Sequence, residues 1–274
     1  MVKMSQIRVG CAGWSYDDWK GVFYPKGLKK SDFLEYYAKF FDFSEINSTF
    51  YAIPSQTSVI GWKKQTADNF RFSVKVWQSI THQKNKGNLI QKIDNFFSSL
   101  DILSPKISVF LLQFPPKFID SPENRQYFRK IIKILPERNR YAIELRHNSW
   151  LRPNTVKNLS LDERFSIVTT YMPKINANYH PSQTMQYIRL IGDRKLTEFS
   201  HLQRDQSDSL KDLHSHIQSL LETPQITDFF VIFNNHFRGF SPQDVNDFKA
   251  SLGMKIKDFT KDKRKNKILD EFIR

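Results

Sequence analysis

Apolar residues in this chain fall into short runs rich in β-branched and aromatic side chains, separated by longer stretches with helical spacing. Such runs suit pleated, buried positions. They predict strands over residues 7–9, 43–49, 70–76, 107–114, 140–146, 165–170, 185–191 and 228–234. Between them, Phe33, Tyr37, Phe40 and Phe41 share one helical face, with Ser31 as the expected N-cap. Ser121-Pro122 and Ser241-Pro242 each place a capping serine before a proline at the first helical position. Leu210, Leu213, Ile217, Leu220 and Leu221 form another apolar stripe, and Gly253 suits the end of a last helix. Most intervals carry such signals; the weakest unit lies between Thr170 and Met185, where Pro173 and Pro181 bracket an irregular stretch.

Strands alternating with helices predict a mostly parallel sheet covered by helices. About eight such units in roughly 250 residues match a TIM-like (β/α)8 barrel. The first strand runs into Gly10-Cys11-Ala12-Gly13-Trp14-Ser15, which is not GxGxxG, and GxxxxGK[ST] occurs nowhere. A doubly wound nucleotide-binding sheet therefore fits less well. We expect an α/β fold: one barrel domain over residues 1–253 and a short basic C-terminal extension, a charged helix or tail, over 254–274.

Composition narrows the class. Hydrophobic residues make up 39% and charged residues 26% of the 274, enough apolar material for a sizeable core. Lys and Arg number 42 against 28 Asp and Glu, a formal net charge of +14. The extension holds eight Lys or Arg and four Asp or Glu, net +4, which leaves +10 over the barrel. The surplus favours anionic partners without bearing on the fold. A single cysteine, Cys11, cannot form an internal disulfide. The opening residues lack the apolar core of a secretory signal, and runs such as Phe229-Phe230-Val231-Ile232-Phe233 are far shorter than a membrane span. A cytoplasmic protein without membrane association is expected. Its oligomeric state is not readable from the pattern.

In barrels of this kind the C-terminal strand ends carry the chemistry, and the opposite end serves stability. Glu45 and Asn47 share a face at the end of the second strand by period two. The third strand carries Lys75, with Thr81-His82 in the loop beyond, and the fourth ends in Gln113. Glu144 and Arg146 share a face on the fifth, followed by His147. The seventh supplies Arg189, and the eighth ends in Asn234-Asn235-His236. Charges inside hydrophobic strands are costly unless paired, so a shared polar network is expected.

Glu45 and Glu144 facing Lys75, Arg146 and Arg189 would leave a positive surplus that phosphate or carboxylate complements. The competing reading is a closed ion network that merely locks the barrel top. Glu144 and Glu45 fit a general base and acid if unequal cation contacts separate their pKa values. Lys75 fits a nucleophile or Schiff-base lysine if cationic neighbours lower its pKa, and otherwise a fixed counter-charge or phosphate contact, the preferred role. Glu45, Glu144, His82, His147 and His236 are suitable ligand types for a divalent metal. No HExxH or tight Cys/His spacing supports one, so the cofactor is left unassigned.

Trp14, Trp77 and Trp150 lie just beyond predicted strand ends, and Trp19 sits in the first long loop near Tyr16, Phe23, Tyr24, Phe50 and Tyr51. Loop packing accounts for most of these rings. Trp14, Tyr16 and Trp77 are assigned to solvent-facing roles, where a flat ring beside Arg or Lys suits a sugar or base next to a phosphate. Lys26, Lys29, Lys30, Lys84 and Lys86 extend the basic surface.

The same residues carry a resemblance. Gly10-Cys11-Ala12-Gly13-Trp14-Ser15-Tyr16-Asp17-Asp18-Trp19 with Phe23-Tyr24-Pro25, and Glu45-Ile46-Asn47-Ser48-Thr49-Phe50-Tyr51, are similar to the domain-of-unknown-function family 72, also called the YecE-like family. So are Phe72-Ser73-Val74-Lys75 with Thr81-His82, Leu112-Gln113-Phe114-Pro115-Pro116, Glu144-Leu145-Arg146-His147-Asn148-Ser149-Trp150, Tyr187-Ile188-Arg189-Leu190 and Asn234-Asn235-His236 with Gly239. The resemblance runs from about residue 7 to 252 and implies a TIM-barrel-like fold. It supplies no reaction. The family typically has His-Gly after the seventh strand, where this chain has Ile191-Gly192. It often has an acidic residue after the sixth, where this chain has Thr169-Thr170-Tyr171.

The expectation is an enzyme, a phosphoester hydrolase or isomerase-type barrel, acting at the barrel mouth on a phosphorylated or other anionic compound, small molecule or nucleic acid. Glu45, Glu144 and Lys75 are the catalytic candidates. Trp14, Tyr16, Asn47, His82, Gln113, Arg146, His147, Arg189, Asn234 and Asn235 are the substrate-binding candidates. The alternative is a non-catalytic nucleic-acid-binding protein that uses the positive mouth and the basic extension.

Overall fold

Strands β1 (Gln6–Cys11), β2 (Phe43–Ile46), β3 (Arg71–Lys75), β4 (Ile107–Gln113), β5 (Tyr141–Glu144), β6 (Phe165–Ile167), β7 (Thr169–Tyr171), β8 (Met185–Leu190) and β9 (Asp228–Phe233) form one sheet in a computed structural model that describes residues 5–84 and 87–259. Every pairing is parallel, and the order is β6-β5-β4-β3-β2-β1-β9-β8-β7. The two outermost strands are consecutive in the chain, with Val168 alone between them. The predicted sixth strand is thus divided. Its first half pairs with β5 and its second half with β8. The Val168 amide donates to Ile143 O at 2.9 Å, continuing the pairing with β5, and the same segment then pairs with β8, which closes the sheet into the expected TIM-like barrel.

Helices α1 (Phe33–Tyr37), α2 (Gln56–Lys64), α3 (Gln78–Thr81), α4 (Leu89–Ser98), α5 (Pro122–Ile134), α6 (Pro153–Lys157), α7 (Ser207–Leu221) and α8 (Ser241–Ser251) fill the intervals. Residues 172–184 between β7 and β8 hold no helix, as the proline spacing predicts. Ser121 caps α5, its Oγ accepting from the Asn124 amide at 3.3 Å. The other two predicted caps differ. Ser31 donates to the Asp32 carboxylate instead of capping α1. Ser241 is already the first residue of α8, and its hydroxyl donates to Asn235 Oδ1 at 2.7 Å. No described helix is long and apolar enough to cross a membrane.

Alternation along the strands sorts side chains into two cores. Ile46, Val74, Leu112, Ile143, Ile188, Leu190 and Val231 face outward and pack beneath the helices. Phe43, Val109, Leu111, Ala142, Val168, Met185, Tyr187, Phe230 and Ile232 fill the barrel. Beyond the last helix, Lys257 donates to Lys39 O at 2.7 Å, and Phe259 is buried against Phe23, Phe40 and Phe240. The start of the predicted extension is therefore fastened to the barrel; the rest of it, residues 260–274, and Lys86 lie outside the described residues.

Candidate functional site

Toward the C-terminal ends of the strands the inward face turns from apolar to polar. Phe43 gives way to Glu45, Leu111 to Gln113, Ala142 to Glu144, Val168 to Thr170, and Met185 to Tyr187 and Arg189; Ser73 is followed by Lys75. Period two delivers each of these groups to the same end of one barrel. Glu45, Glu144, Lys75, Gln113, Arg189 and Thr170 are all buried.

Arg189 is the hub. Its Nη1 donates to Glu144 Oε2 at 2.8 Å and its Nη2 to Glu45 Oε1 at 2.6 Å. The Tyr187 hydroxyl donates to Glu45 Oε2 at 2.8 Å and lies equally close to Ser73 Oγ. Thr170 donates to Glu144 Oε1 at 3.2 Å. Every carboxylate oxygen thus has a donor. Arg146 is held less completely: its Nη2 lies 3.0 Å from Glu144 Oε2 but off the hydrogen-bond line, and Nε and Nη2 have no hydrogen-bond partner among the described residues. Gln113 Oε1 and Arg189 Nε are likewise buried without a partner. The Lys75 amine sits over the Phe50 ring, 4.0 Å from its centroid, and pairs with neither carboxylate.

Burial and charge set the protonation of these groups. Burial alone would raise the Glu144 carboxyl, but Arg146, Arg189 and Lys75 overcome it and hold the group at about 2. At neutral pH Glu144 is a fixed anion. Burial opposes the charge on Arg189, yet Glu144 and Glu45 more than restore it. Lys75 moves the other way: burial, then Arg189 and Arg146, bring the amine down to about 7 against the pull of Glu45 and Glu144. His82 is lowered to about 4 by burial, Lys75 and Arg146, with its ring edge-on to Phe50 at 5.1 Å.

The other expected site residues lie farther out or are turned to structural work. β2 ends at Ile46, so Asn47 lies in the following turn, half-buried, and no longer shares a strand face with Glu45. β5 ends at Glu144, and Arg146 reaches back to it from two residues beyond. His147 Nδ1 contacts Ser149 Oγ at 2.8 Å. Asn234 Oδ1 accepts from the His236 amide, and Asn235 Oδ1 holds the start of α8. The Tyr16 hydroxyl donates to Ala12 O, and its ring packs on Trp19 and Phe199. Trp14 is half-buried between Trp62 and Phe72, Trp77 is half-buried at the start of α3, and Trp150 is wholly buried. Among the described residues no three His, Cys, Asp or Glu side chains come together as a metal-binding group.

Tyr187, Ser73, Thr170 and Phe50 belong to the cluster but were not among the expected site residues. Tyr187 and Ser73 each stand two residues before a charged member of their strand, so the same periodicity could have found them. A cleft of about 460 Å³ lined by His82, Gln83, Lys84, Lys117, Phe118 and Asn124 opens on the same side.

A family model described as "Protein of unknown function DUF72" matches residues 8–268. The UPF0759 protein YecE of Escherichia coli K12 is 31% identical over 141 residues, 52% of this chain and 48% of YecE, so the match spans about half the length of that relative. The UPF0759 protein YunF of Bacillus subtilis is 26% identical over 259 residues, 85% of this chain and 90% of its own. The crystal structure of a DUF72 family protein from Thermotoga maritima superposes with a TM-score of 0.75 at 29% identity, covering 90% of this chain and 99% of that one. One from Enterococcus faecalis gives 0.73 at 26% identity, covering 92% and 100%.

Proposed function

The chain belongs to the DUF72 family, and from that premise we propose that it is an enzyme acting on a small anionic substrate, phosphorylated or carboxylated, at the C-terminal mouth of the barrel. The observation that carries this reading is the unequal satisfaction of the buried charges. Every oxygen of Glu45 and Glu144 has a donor, whereas among the described residues Arg146 Nε and Nη2 have no hydrogen-bond acceptor and no hydrogen bond holds the Lys75 amine. A network built only to lock the barrel would satisfy its outer members too, because an unpaired buried charge is costly. An anion on Arg146 would remove that cost, with Gln113 Oε1 free to accept from a hydroxyl of the same ligand.

In this reading Glu144 is not the proton carrier, since a carboxyl held at about 2 is a poor base at neutral pH. It fixes the two guanidinium groups. Glu45, bonded to Tyr187, keeps the proton-transfer role. The test is thermal unfolding in inorganic phosphate against chloride at matched ionic strength. Phosphate should stabilise the protein by about 2.7 kcal/mol at a hundredfold excess over its Kd, and Arg146→Gln should lose the effect. Equal stabilisation of both proteins, or of neither, would overturn the site.

A second reading, nucleic acid held without turnover, is supported by Lys84 and Lys117 along the adjoining cleft and by the net charge of +14. It differs in its salt dependence. Affinity for an oligonucleotide should fall steeply with salt as neutralised phosphates release counterions, and binding should be indifferent to Arg146→Gln.

A further inference from the structure

We infer that Lys75 is a nucleophilic amine that condenses with the aldehyde or ketone carbonyl of the anionic substrate to form an imine. This rests on the reading of the barrel mouth as an anion site and adds the class of compound bound there: a short carbonyl compound bearing a carboxylate or phosphate.

Geometry comes first. A lysine kept as a counter-charge should meet a carboxylate, and two lie in the same cluster. Both are instead committed to Arg189, Tyr187 and Thr170. The Lys75 amine is left against the face of Phe50, with the lysine 6% exposed overall and no acceptor on its nitrogen. An apolar ring beneath it and guanidinium groups nearby form the surroundings that favour a neutral amine, and its fall to about 7 follows from that burial and from Arg189 and Arg146. Roughly half of such a lysine carries a free lone pair at pH 7, against well under one in a thousand for an exposed one.

The neighbours suit the addition. Register pairs Gln113 with Glu144 and Lys75 with Leu111, so Lys75, Gln113 and Arg146 stand on adjoining strands or their ends. Arg146 would hold the anionic group a few atoms from the carbonyl carbon. The Lys75 Nζ lone pair attacks that carbon. A C–N bond forms as the C=O π pair moves to oxygen, which takes up a proton to become the carbinolamine hydroxyl. Gln113 Oε1, which has no partner, can accept a hydrogen bond from this hydroxyl. Nitrogen gives up one proton to form the neutral carbinolamine. Departure of the hydroxyl with a second proton then releases water, and loss of nitrogen's other proton leaves the imine, so the two protons lost by nitrogen match the two taken up by oxygen. Amine and carbonyl give imine and water, with no oxidant or reductant required.

The test uses the full chain with pyruvate as the carboxylate probe, glyceraldehyde 3-phosphate as the phosphate probe and acetaldehyde as the neutral one. Each is followed by borohydride reduction and peptide mass spectrometry. Lys75 should be labelled at pH 7 at least about tenfold faster than the exposed Lys211, and Arg146→Gln should slow labelling by the anionic probes alone. Which of the two anionic probes reacts faster identifies the anion. Labelling of Lys75 no faster than Lys211, with phosphate still stabilising the protein through Arg146, would overturn the imine and leave the anion site standing. Rapid labelling by all three probes alike, unaffected by Arg146→Gln, would support the nucleophile and overturn the anion site. Mapping on the unaltered protein needs no variant at Lys75 to fold.

Discussion

Arg189 and Glu45 are 144 positions apart in the chain, yet Nη2 and Oε1 meet at 2.6 Å inside the barrel. They tie β8 to β2, with β9 and β1 lying between along the wall. With Glu144 on the other arm of the same guanidinium, one side chain braces three strands.

Removing that brace should be severe. Arg189→Met leaves two buried carboxylates facing each other without their shared cation, and an uncompensated buried charge costs about 3–5 kcal/mol. For a domain of this size that lowers the melting temperature by roughly 10 °C. Arg189→Lys should recover little, because a point charge cannot donate along both lines at once. Urea unfolding followed by circular dichroism measures both; a loss under about 1 kcal/mol in Arg189→Met would refute the bracing role.

Lys75→Met should stabilise the protein, and the pH dependence gives the sign. The lysine is lowered from 10.5 to about 7 in the fold, so between these values the unfolded chain binds more protons than the native one. Wild-type stability therefore rises across that window, and the penalty for burying the charge is full below it. The gain in Lys75→Met should be on the order of a few kcal/mol at pH 6 and shrink toward zero near pH 10.5. A gain independent of pH would contradict the depressed amine.

Tyr187→Phe and Tyr127→Phe separate a charged acceptor from a neutral one. Tyr187 donates to Glu45 inside the barrel, and Tyr127 donates to the Ile80 carbonyl at 2.7 Å on the flank. Bonds to charged groups contribute about 1.5–3 kcal/mol and neutral ones about 1. Chemical denaturation should rank Tyr187→Phe as the more damaging change; the reverse order would mean that Glu45 is stabilised without it.

Gly192 and Gly253 both have positive φ, 72° and 68°, but only one is enclosed. A Cβ on Gly192 would lie 2.1 Å from the His236 carbonyl oxygen, whereas nothing stands within 4 Å of one on Gly253. Gly253→Ala should cost about 1 kcal/mol of backbone strain. Gly192→Ala must also displace the backbone at residues 236–237, so its melting temperature should fall well below that of Gly253→Ala.

The alternation of β-branched and polar residues made the barrel and the inner cluster legible, because period two and the C-terminal rule act on residue type alone. Glu45, Lys75, Gln113, Glu144 and Arg189 all follow from it. What it missed depended on where a strand stops and how a side chain turns. Asn47 fell past the end of β2, His147 and Asn234 bonded to their own turns, and Ser241 spent its hydroxyl on Asn235 instead of a helix end. The division at Val168 was hidden for a related reason: an unbroken run of strand formers does not say which neighbour each residue will pair with. Tyr187 and Ser73 carry no formal charge, so nothing about their burial in a strand demands a partner as it does for Glu45 or Arg189.

That division gives the barrel a seam. Each half-strand there is three residues long, and β6 meets β8 and the residues before it through side chains, Ser166 Oγ donating to Met185 O and Gln183 Oε1 accepting from the Ile167 amide, so the wall has fewer backbone rungs here than along β8 and β9. Thr170 lies in the second half and supplies the hydroxyl on Glu144 Oε1. A transient parting would lift that donor away and let water reach the charges that the rest of the barrel keeps dry. Amide hydrogens of residues 168–171 should therefore exchange with deuterium sooner than those of β8 and β9, making the seam the breathing point of the molecule.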